Sequence, residues 1–455
     1  MLKSTRSPFL MLKLCFIIFA FCLIYLSRKF PIQVPITDDW IYLELGTHQS
    51  SIFNKSIFEL VNGHQHVLLK ITIWLVGFIP GNYIQNLVIF NIIFALSGFY
   101  LLLVSQFALK SKSVTPFIAI LTTIMVFNLK PLYIYMSATG LGMCQSVFLF
   151  GVYYYARNIQ ESKKSKFMIA LSLFLATFST AMGIALPIAH SLHVIYKLLW
   201  NRKIFSQKDL QLVVLMSFGI FISYIVPIYG ENFNIRTPTN GTNSLDSVLM
   251  IFENPLIFLT FFTALVGNPL IPSSRFDPLF PFTLGIIVLV IFLLLVYRRI
   301  GFYRFFQTIM LNKNPFLTGF VFLFIVTLFR GSDQYFSLDS AAPRYIPGAI
   351  FLLIGMVTLI VENYSFLQKG FDKYLTISFV VIMSFSLAGI KSGSEWLVTR
   401  SSQSKMVHKC ILNAQKKTQK CIAVSSEIRE ADSNDKELEE DLNQLQKYYY
   451  KLNNS

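Results

Sequence analysis

Charge is what this chain has least of. Only 14% of its 455 residues are Asp, Glu, Lys or Arg, where a soluble domain carries about a quarter. Carboxylates are the scarcer sign, 23 against 39 basic residues. The five cysteines form no framework, because no CxxC pair and no Cys/His zinc spacing occurs. That argues against a zinc module or a disulfide-built scaffold. A Walker A loop and a GxGxxG fingerprint are both missing, so neither common nucleotide-phosphate cradle is present. No repeat of fixed period and no low-complexity tract appears.

What fills the chain instead is apolar. Hydrophobic residues make up 54% and the mean hydropathy is +0.57. Apolar runs recur that can each cross a hydrocarbon core about 30 Å thick. The pattern predicts an all-α polytopic integral membrane protein. Eleven spans are expected, at 9–27, 86–108, 115–128, 139–156, 167–180, 183–200, 210–228, 279–297, 315–329, 345–361 and 375–390. The first has no small-residue cleavage site before "RKFPIQVP" and reads as an uncleaved signal anchor. Two further stretches, 67–79 and 248–266, are ambiguous. The first carries Lys70, and the second contains Glu253–Pro255.

Charge decides their status. With the N-terminus inside and neither stretch crossing, the inside connectors hold 17 basic residues. The much longer outside connectors before residue 391 hold 9. This is the positive-inside asymmetry, and it accounts for the net charge of +16 without nucleic acid. Letting one stretch cross would invert every later basic loop. Both therefore read as re-entrant or interfacial helices on the outer face. Ten of the fourteen carboxylates before residue 391 then fall outside. The chain divides into a membrane domain, 1–390, and a polar outer-face tail, 391–455. Cys410 and Cys421 lie in that tail and read either as a disulfide or as two unpaired thiols.

The first outer loop, 28–85, holds the densest polar cluster. Asp38 and Asp39 follow the first span directly, Trp40 is next, and His48, His64 and His66 come within thirty residues. Three readings stand side by side. The pair can take a proton from an attacking hydroxyl. It can hold a divalent cation such as Mg or Mn through hard oxygens, with His64 as a further ligand. Or it is a solvated loop. An interfacial aromatic at Trp40 fixes the pair near the headgroups, which favours a role there, and favours Asp39 as the base.

A first span, an outer-loop "DDW", a surface helix and an Asn-x-His element before the next span resemble the GT-C superfamily of membrane glycosyltransferases. More closely, they resemble bacterial proteins with a "DDW … NEHR" pattern. The matching residues are Asp38, Asp39, Trp40, Asn62 and His64. Gly63 stands where that pattern has Glu, and Gln65 where it has Arg. The resemblance implies a GT-C-like fold and a polyprenyl-phosphate sugar as donor. The acceptor it implies is a glycan or lipid-linked glycan, such as O-antigen of a lipopolysaccharide. It also implies a periplasm-facing site in a bacterial inner membrane. Such a donor is a lipid, so its reactive carbon lies at the membrane surface and no nucleotide site is needed.

A second candidate is "RGSDQYFSLDSAAPRYIPG", Arg330 to Gly348. An Arg-Tyr pair at the outer start of a late span also resembles GT-C proteins. Arg344 and Arg330, with Tyr345, would clamp the donor phosphate. The alternative is that they are interface anchors. The outer loop 229–278, with Arg236 and Arg275, reads as a solvated cap, and "STAMG" at Ser179–Gly183 as a packed turn. His190 and His193 sit three apart on an apolar span with no carboxylate nearby, and read as packed, hydrogen-bonded histidines. Two other functions fit a polytopic chain: an O-antigen polymerase or ligase, and a transporter or flippase of lipid-linked glycans. The first would not need an acidic pair after the first span. The second would place ionisable residues at mid-membrane depth.

Overall fold

A computed structural model describes residues 6–34, 42–48, 66–108, 126, 132–137, 140–200, 207–220, 249, 252–270, 279–311, 313–330, 338–363, 391, 393–411, 442, 443, 445 and 447. Every regular element among them is helical, and no strand occurs among the described residues. The helices are α1 (Arg6–Lys29), α2 (Leu43–Gly46), α3 (Val67–Gly77), α4 (Tyr83–Leu103), α5 (Leu132–Met136), α6 (Gly140–Asn158), α7 (Lys163–Thr177) and α8 (Ala181–Trp200). They continue with α9 (Gln207–Ile220), α10 (Pro255–Gly267), α11 (Leu279–Arg299), α12 (Phe302–Met310), α13 (Phe316–Arg330) and α14 (Leu338–Asn363). A last helix, α15, covers 393–411.

Helices occupy most of the apolar runs. Among the described residues, three are long and apolar enough to cross a membrane, Tyr83–Gln106, Met182–Trp200 and Leu279–Arg298. Val67–Gly77, Leu210–Ile220, Pro255–Leu270, Phe316–Leu328 and Tyr345–Ile360 are shorter apolar helices. The run 375–390, and all of 115–128 except Val126, lie outside the described residues. Val67–Gly77 rises only about 16 Å, about half a hydrocarbon core. Apolar side chains also face outward. Leu14, Ile18, Phe21 and Tyr25 on α1 and Ile287, Ile291 and Leu294 on α11 are exposed, a surface suited to lipid rather than water.

Where apolar faces meet lipid as readily as each other, close packing decides which helices pair. Glycine supplies it at several crossings, of which two bring glycine against glycine. On α4 and α6 a Cβ at Gly151 would strike the Gly98 carbonyl, and one at Gly98 would come within 2.6 Å of the Phe148 backbone. On α10 and α11, a Cβ at Gly267 would lie 2.7 Å from the Gly285 amide. Both crossings bring backbone against backbone. α13 packs on α14 and on α8, and α1 lies against α4.

Polar residues gather at the two ends of the bundle. At one end, Arg157 donates to His193 Nε2 and to the Leu311 carbonyl, both at 3.0 Å. His193 Nε2 is therefore an acceptor, so Nδ1 carries the proton and donates to the Met310 carbonyl at 2.6 Å. Together these two side chains satisfy carbonyls that the end of α12 leaves free. Gln106 and Asn158 donate to the Lys313 carbonyl at 3.2 and 3.4 Å. Asn314 caps α13 by accepting from Phe316 N at 2.8 Å and donates to the Gly355 carbonyl at 3.1 Å. His190 pairs with the Tyr153 hydroxyl at 2.9 Å. Both histidines are thus packed and hydrogen-bonded, as their apolar setting predicts.

Candidate functional site

The opposite end is where the described flanks of the first loop lie. α1 runs out at Lys29, and Pro31–Val34 follow without regular structure. Backbone groups there must find partners elsewhere. Gln33 N and Val34 N donate to Ser404 Oγ at 2.8 and 3.2 Å. Ser401 Oγ donates to the Pro31 carbonyl at 3.1 Å. Asn82, which caps α4 through Ile84 N at 2.9 Å, donates its amide to the Gln33 carbonyl at 3.1 Å. Ile32 and Val34 are buried beneath this lattice.

The chain is described again at Tyr42. Its buried hydroxyl is bonded to His66 Nδ1 at 2.8 Å. α2 then lies on α3. Close approach is required at Gly46, where a Cβ would come within 2.9 Å of the Tyr83 ring. His48 closes the element by packing its ring at a tilt against Phe78, ring centres 4.0 Å apart, with Trp74 beside it. His48 and His66 both take positive φ, 57° and 47°, a conformation uncommon outside glycine and Asn.

His66 opens α3, and the next turn is stitched to the α7–α8 turn by Leu68 N donating to the Phe178 carbonyl at 2.9 Å. Inside this junction lies a polar layer. Gln145 of α6 donates to Thr72 Oγ1 at 2.7 Å. Ser146 Oγ is 3.1 Å from Ser179 Oγ and 3.2 Å from Thr180 Oγ1. Lys70 is buried on the same helix as Thr72. Gln145 Oε1 finds no hydrogen-bond partner among the described residues. Asn91 of α4 holds the end of α5 by donating to the Ser137 and Tyr135 carbonyls at 2.7 and 3.2 Å. The turn at Ser179–Gly183 is packed, as its sequence predicts.

Asp38, Asp39, Trp40, Asn62 and His64 lie outside the described residues. So do Asp333, Arg236 and Arg275, and the side chains of Arg330, Arg344 and Asp339. Tyr345 is described. It is buried on α14, its ring centre 6.2 Å from that of Phe322 on α13. Among the described residues no three His, Cys, Asp or Glu side chains converge as a metal site would require. Cys410 is disulfide-bonded, while Cys15, Cys22 and Cys144 are free. Cys421 lies outside the described residues.

Sequence pattern did not single out Tyr42, Thr72, Gln145, Ser146, Ser401 or Ser404. For Gln145 and Ser146 a signal exists, two polar residues inside the apolar run "GLGMCQSVFLFG". For Ser404 no local signal exists, because its partners lie some 370 positions earlier.

The fold defines a class: a helical protein with apolar helices of membrane-crossing length. The chain matches no family model, no curated protein and no solved structure.

Proposed function

We propose that this chain is a GT-C-type membrane glycosyltransferase. It moves a sugar, a hexose, from a polyprenyl-phosphate donor to a glycan or lipid-linked acceptor such as O-antigen. The proposed site faces the periplasm from the bacterial inner membrane. The observation that carries this reading is the Asp38-Asp39-Trp40 triplet immediately after the first apolar helix. The described flanks of that loop meet through the Tyr42–His66 bond.

Eleven spans with the N-terminus inside and the C-terminus outside remain the proposed topology. The polar ties fit its grouping of residues by side, while the charge asymmetry alone supports the orientation. Gln33 with Ser404, Gln33 with Asn82 and Leu68 with Phe178 are outer-side pairs. Arg157 with Leu311, Gln106 with Lys313 and Asn314 with Gly355 are inner-side pairs.

In the proposed inverting displacement an acceptor hydroxyl oxygen bonds to the anomeric carbon. Asp39 takes the hydroxyl proton, with Asp38 beside it. The bond from that carbon to the phosphate oxygen breaks, and polyprenyl phosphate leaves with the electron pair. Arg344 and Arg330 would meet the growing phosphate charge, with Tyr345 alongside and Trp40, Asn62 and His64 supporting the loop. A divalent cation on Asp38, Asp39 and His64, if bound, would supply Lewis-acid charge at the same place.

The test is mass spectrometry of the host's surface polysaccharide. Native, gene-deleted, Asp38→Asn and Asp39→Asn strains are compared, with membrane levels of each protein checked. Loss of one hexose per repeat unit in the deletion and in at least one Asp variant is expected. Loss of chain length would instead indicate a polymerase. An unchanged polysaccharide in every strain would overturn the transferase reading for that glycan.

A further inference from the structure

We propose that Ser401 and Ser404 are positioning residues: through them α15 clamps the segment entering the first outer loop and sets where its acidic pair leaves the membrane surface. The clamp itself stands on described geometry. Its link to activity rests on the proposed transferase reading.

The segment Pro31–Val34 is four residues long and irregular, yet it is held at four backbone groups. The Pro31 carbonyl takes the Ser401 hydroxyl, and the Gln33 and Val34 amides share Ser404 Oγ. The Gln33 carbonyl takes Asn82 from α4. A serine oxygen has two acceptor lone pairs, so the Ser404 hydroxyl can receive both amides. Ser401 and Ser404 stand three apart, which puts them on one face of the helix. They are 1% and 0% exposed, so both hydroxyls are shielded from water. Val34 is also fully buried, and Asp38 is only four residues further on.

The segment has no regular backbone pattern of its own. Pro31 has no N–H, and Pro35 follows Val34, so the segment can neither continue α1 nor join a regular ladder. Three of its four held backbone groups are tied to a helix about 370 residues away. That helix is itself tethered by the disulfide at Cys410, six residues beyond Ser404. Its apolar face, Leu397, Val407 and Ile411, is buried in the main core. A bland surface helix would need neither feature.

Ser404→Ala removes the acceptor of the Gln33 and Val34 amides, whereas Ser404→Thr keeps the oxygen. Both are made in the full-length protein, with and without Asp38→Cys, in a background where Cys15 and Cys22 are replaced by Ala. Hydrogen exchange of the peptide covering 31–34 is expected to rise about tenfold in Ser404→Ala, the effect on each amide of losing its hydrogen bond. Ser404→Thr is expected to stay near the native rate. Labelling of the thiol introduced by Asp38→Cys, with a membrane-impermeant maleimide, is expected to change at least threefold in Ser404→Ala and to return in Ser404→Thr. Unchanged exchange would overturn the clamp. Faster exchange with unchanged labelling of that thiol would overturn the positioning role and leave the bonds purely structural.

Glycan occupancy forms the separate arm. If Asp39→Asn abolishes the sugar, Ser404→Ala should lower occupancy several-fold at equal membrane level, with recovery in Ser404→Thr. Full occupancy in Ser404→Ala would also overturn the positioning role. If the deletion and both Asp variants leave the glycan unchanged, the transferase reading fails, while exchange and labelling still decide the clamp.

Discussion

The Tyr42 hydroxyl lies 2.8 Å from His66 Nδ1, and this bond joins two segments that the sequence separates by the whole of 43–65. Tyr42 stands three residues after Asp39, and His66 two residues after His64. Tyr42→Phe keeps the ring buried and removes only the hydroxyl. It should lower stability by about 1 kcal/mol, the usual net worth of such a bond. The double variant with His66→Ala should be non-additive, because the two side chains share one interaction. Thermal unfolding in detergent, run as a double-mutant cycle, measures this.

Arg157 ties three helices at the other end of the bundle. Arg157→Met would leave His193 Nε2 and the Leu311 carbonyl without their donor. The expected loss is about 2–3 kcal/mol, because a charge-assisted bond and a buried acceptor are both affected. Arg157→Lys should recover part of it, since one ammonium cannot reproduce the guanidinium fork. Apparent melting temperatures of the three proteins give the order.

The Gly98–Gly151 crossing leaves no room for a side chain. Gly151→Val should cost more than about 3 kcal/mol, because backbone rather than a flexible side chain is in the way. Loss of the monodisperse peak on size exclusion is the expected outcome. Gly81→Ala tests a different term: its Cβ would meet nothing within 4 Å, but φ is +101°. It should cost about 1 kcal/mol, for backbone strain alone.

The proposed topology gives a labelling prediction. Glu161, in the α6–α7 turn, is bonded to Lys166 at 2.6 Å, and both are exposed. Lys166 first, by hydrogen bond and then by charge, holds the Glu161 carboxyl below its ordinary range. In the background with Cys15 and Cys22 replaced, Glu161→Cys should react with an impermeant reagent only after the inner membrane is opened. Ser394→Cys should react once the outer membrane is breached. The reverse pattern would invert the topology, and reaction of both at once would break it.

His408 supplies a pH prediction. Burial holds its imidazole below the ordinary value of 6.5, so the fold favours the neutral ring. The unfolded segment binds the proton first as pH falls. Stability of α15 is therefore complete above about pH 7.5 and declines as pH drops below the ordinary histidine value. Exchange protection of 393–411, corrected for intrinsic rate, should fall between about pH 7.5 and 5.5. His408→Gln should flatten that dependence.

Much of the helical layout was legible because its signal is local. Apolar runs at 86–108, 183–200 and 279–297 became helices of membrane-crossing length. Asn82 and Ser162 precede helices that their side chains cap. The acidic triplet was equally plain, being three adjacent letters after an apolar run. The polar layer at Thr72, Gln145, Ser146 and Ser179 was not, since it is assembled from α3, α6 and the α7–α8 turn.

The sequence by itself determined that the chain is helical and apolar, where its basic residues cluster, and which loop carries the acidic pair. Each is a property of neighbours along the chain, expressed through hydropathy, period and charge. Only the tertiary structure decided that Gly98 meets Gly151, that His193 is tied to Arg157, and that Ser404 holds Val34. Those depend on which helix faces which. In an apolar bundle, many pairings bury similar area, so backbone approach and the satisfaction of single polar groups make the choice.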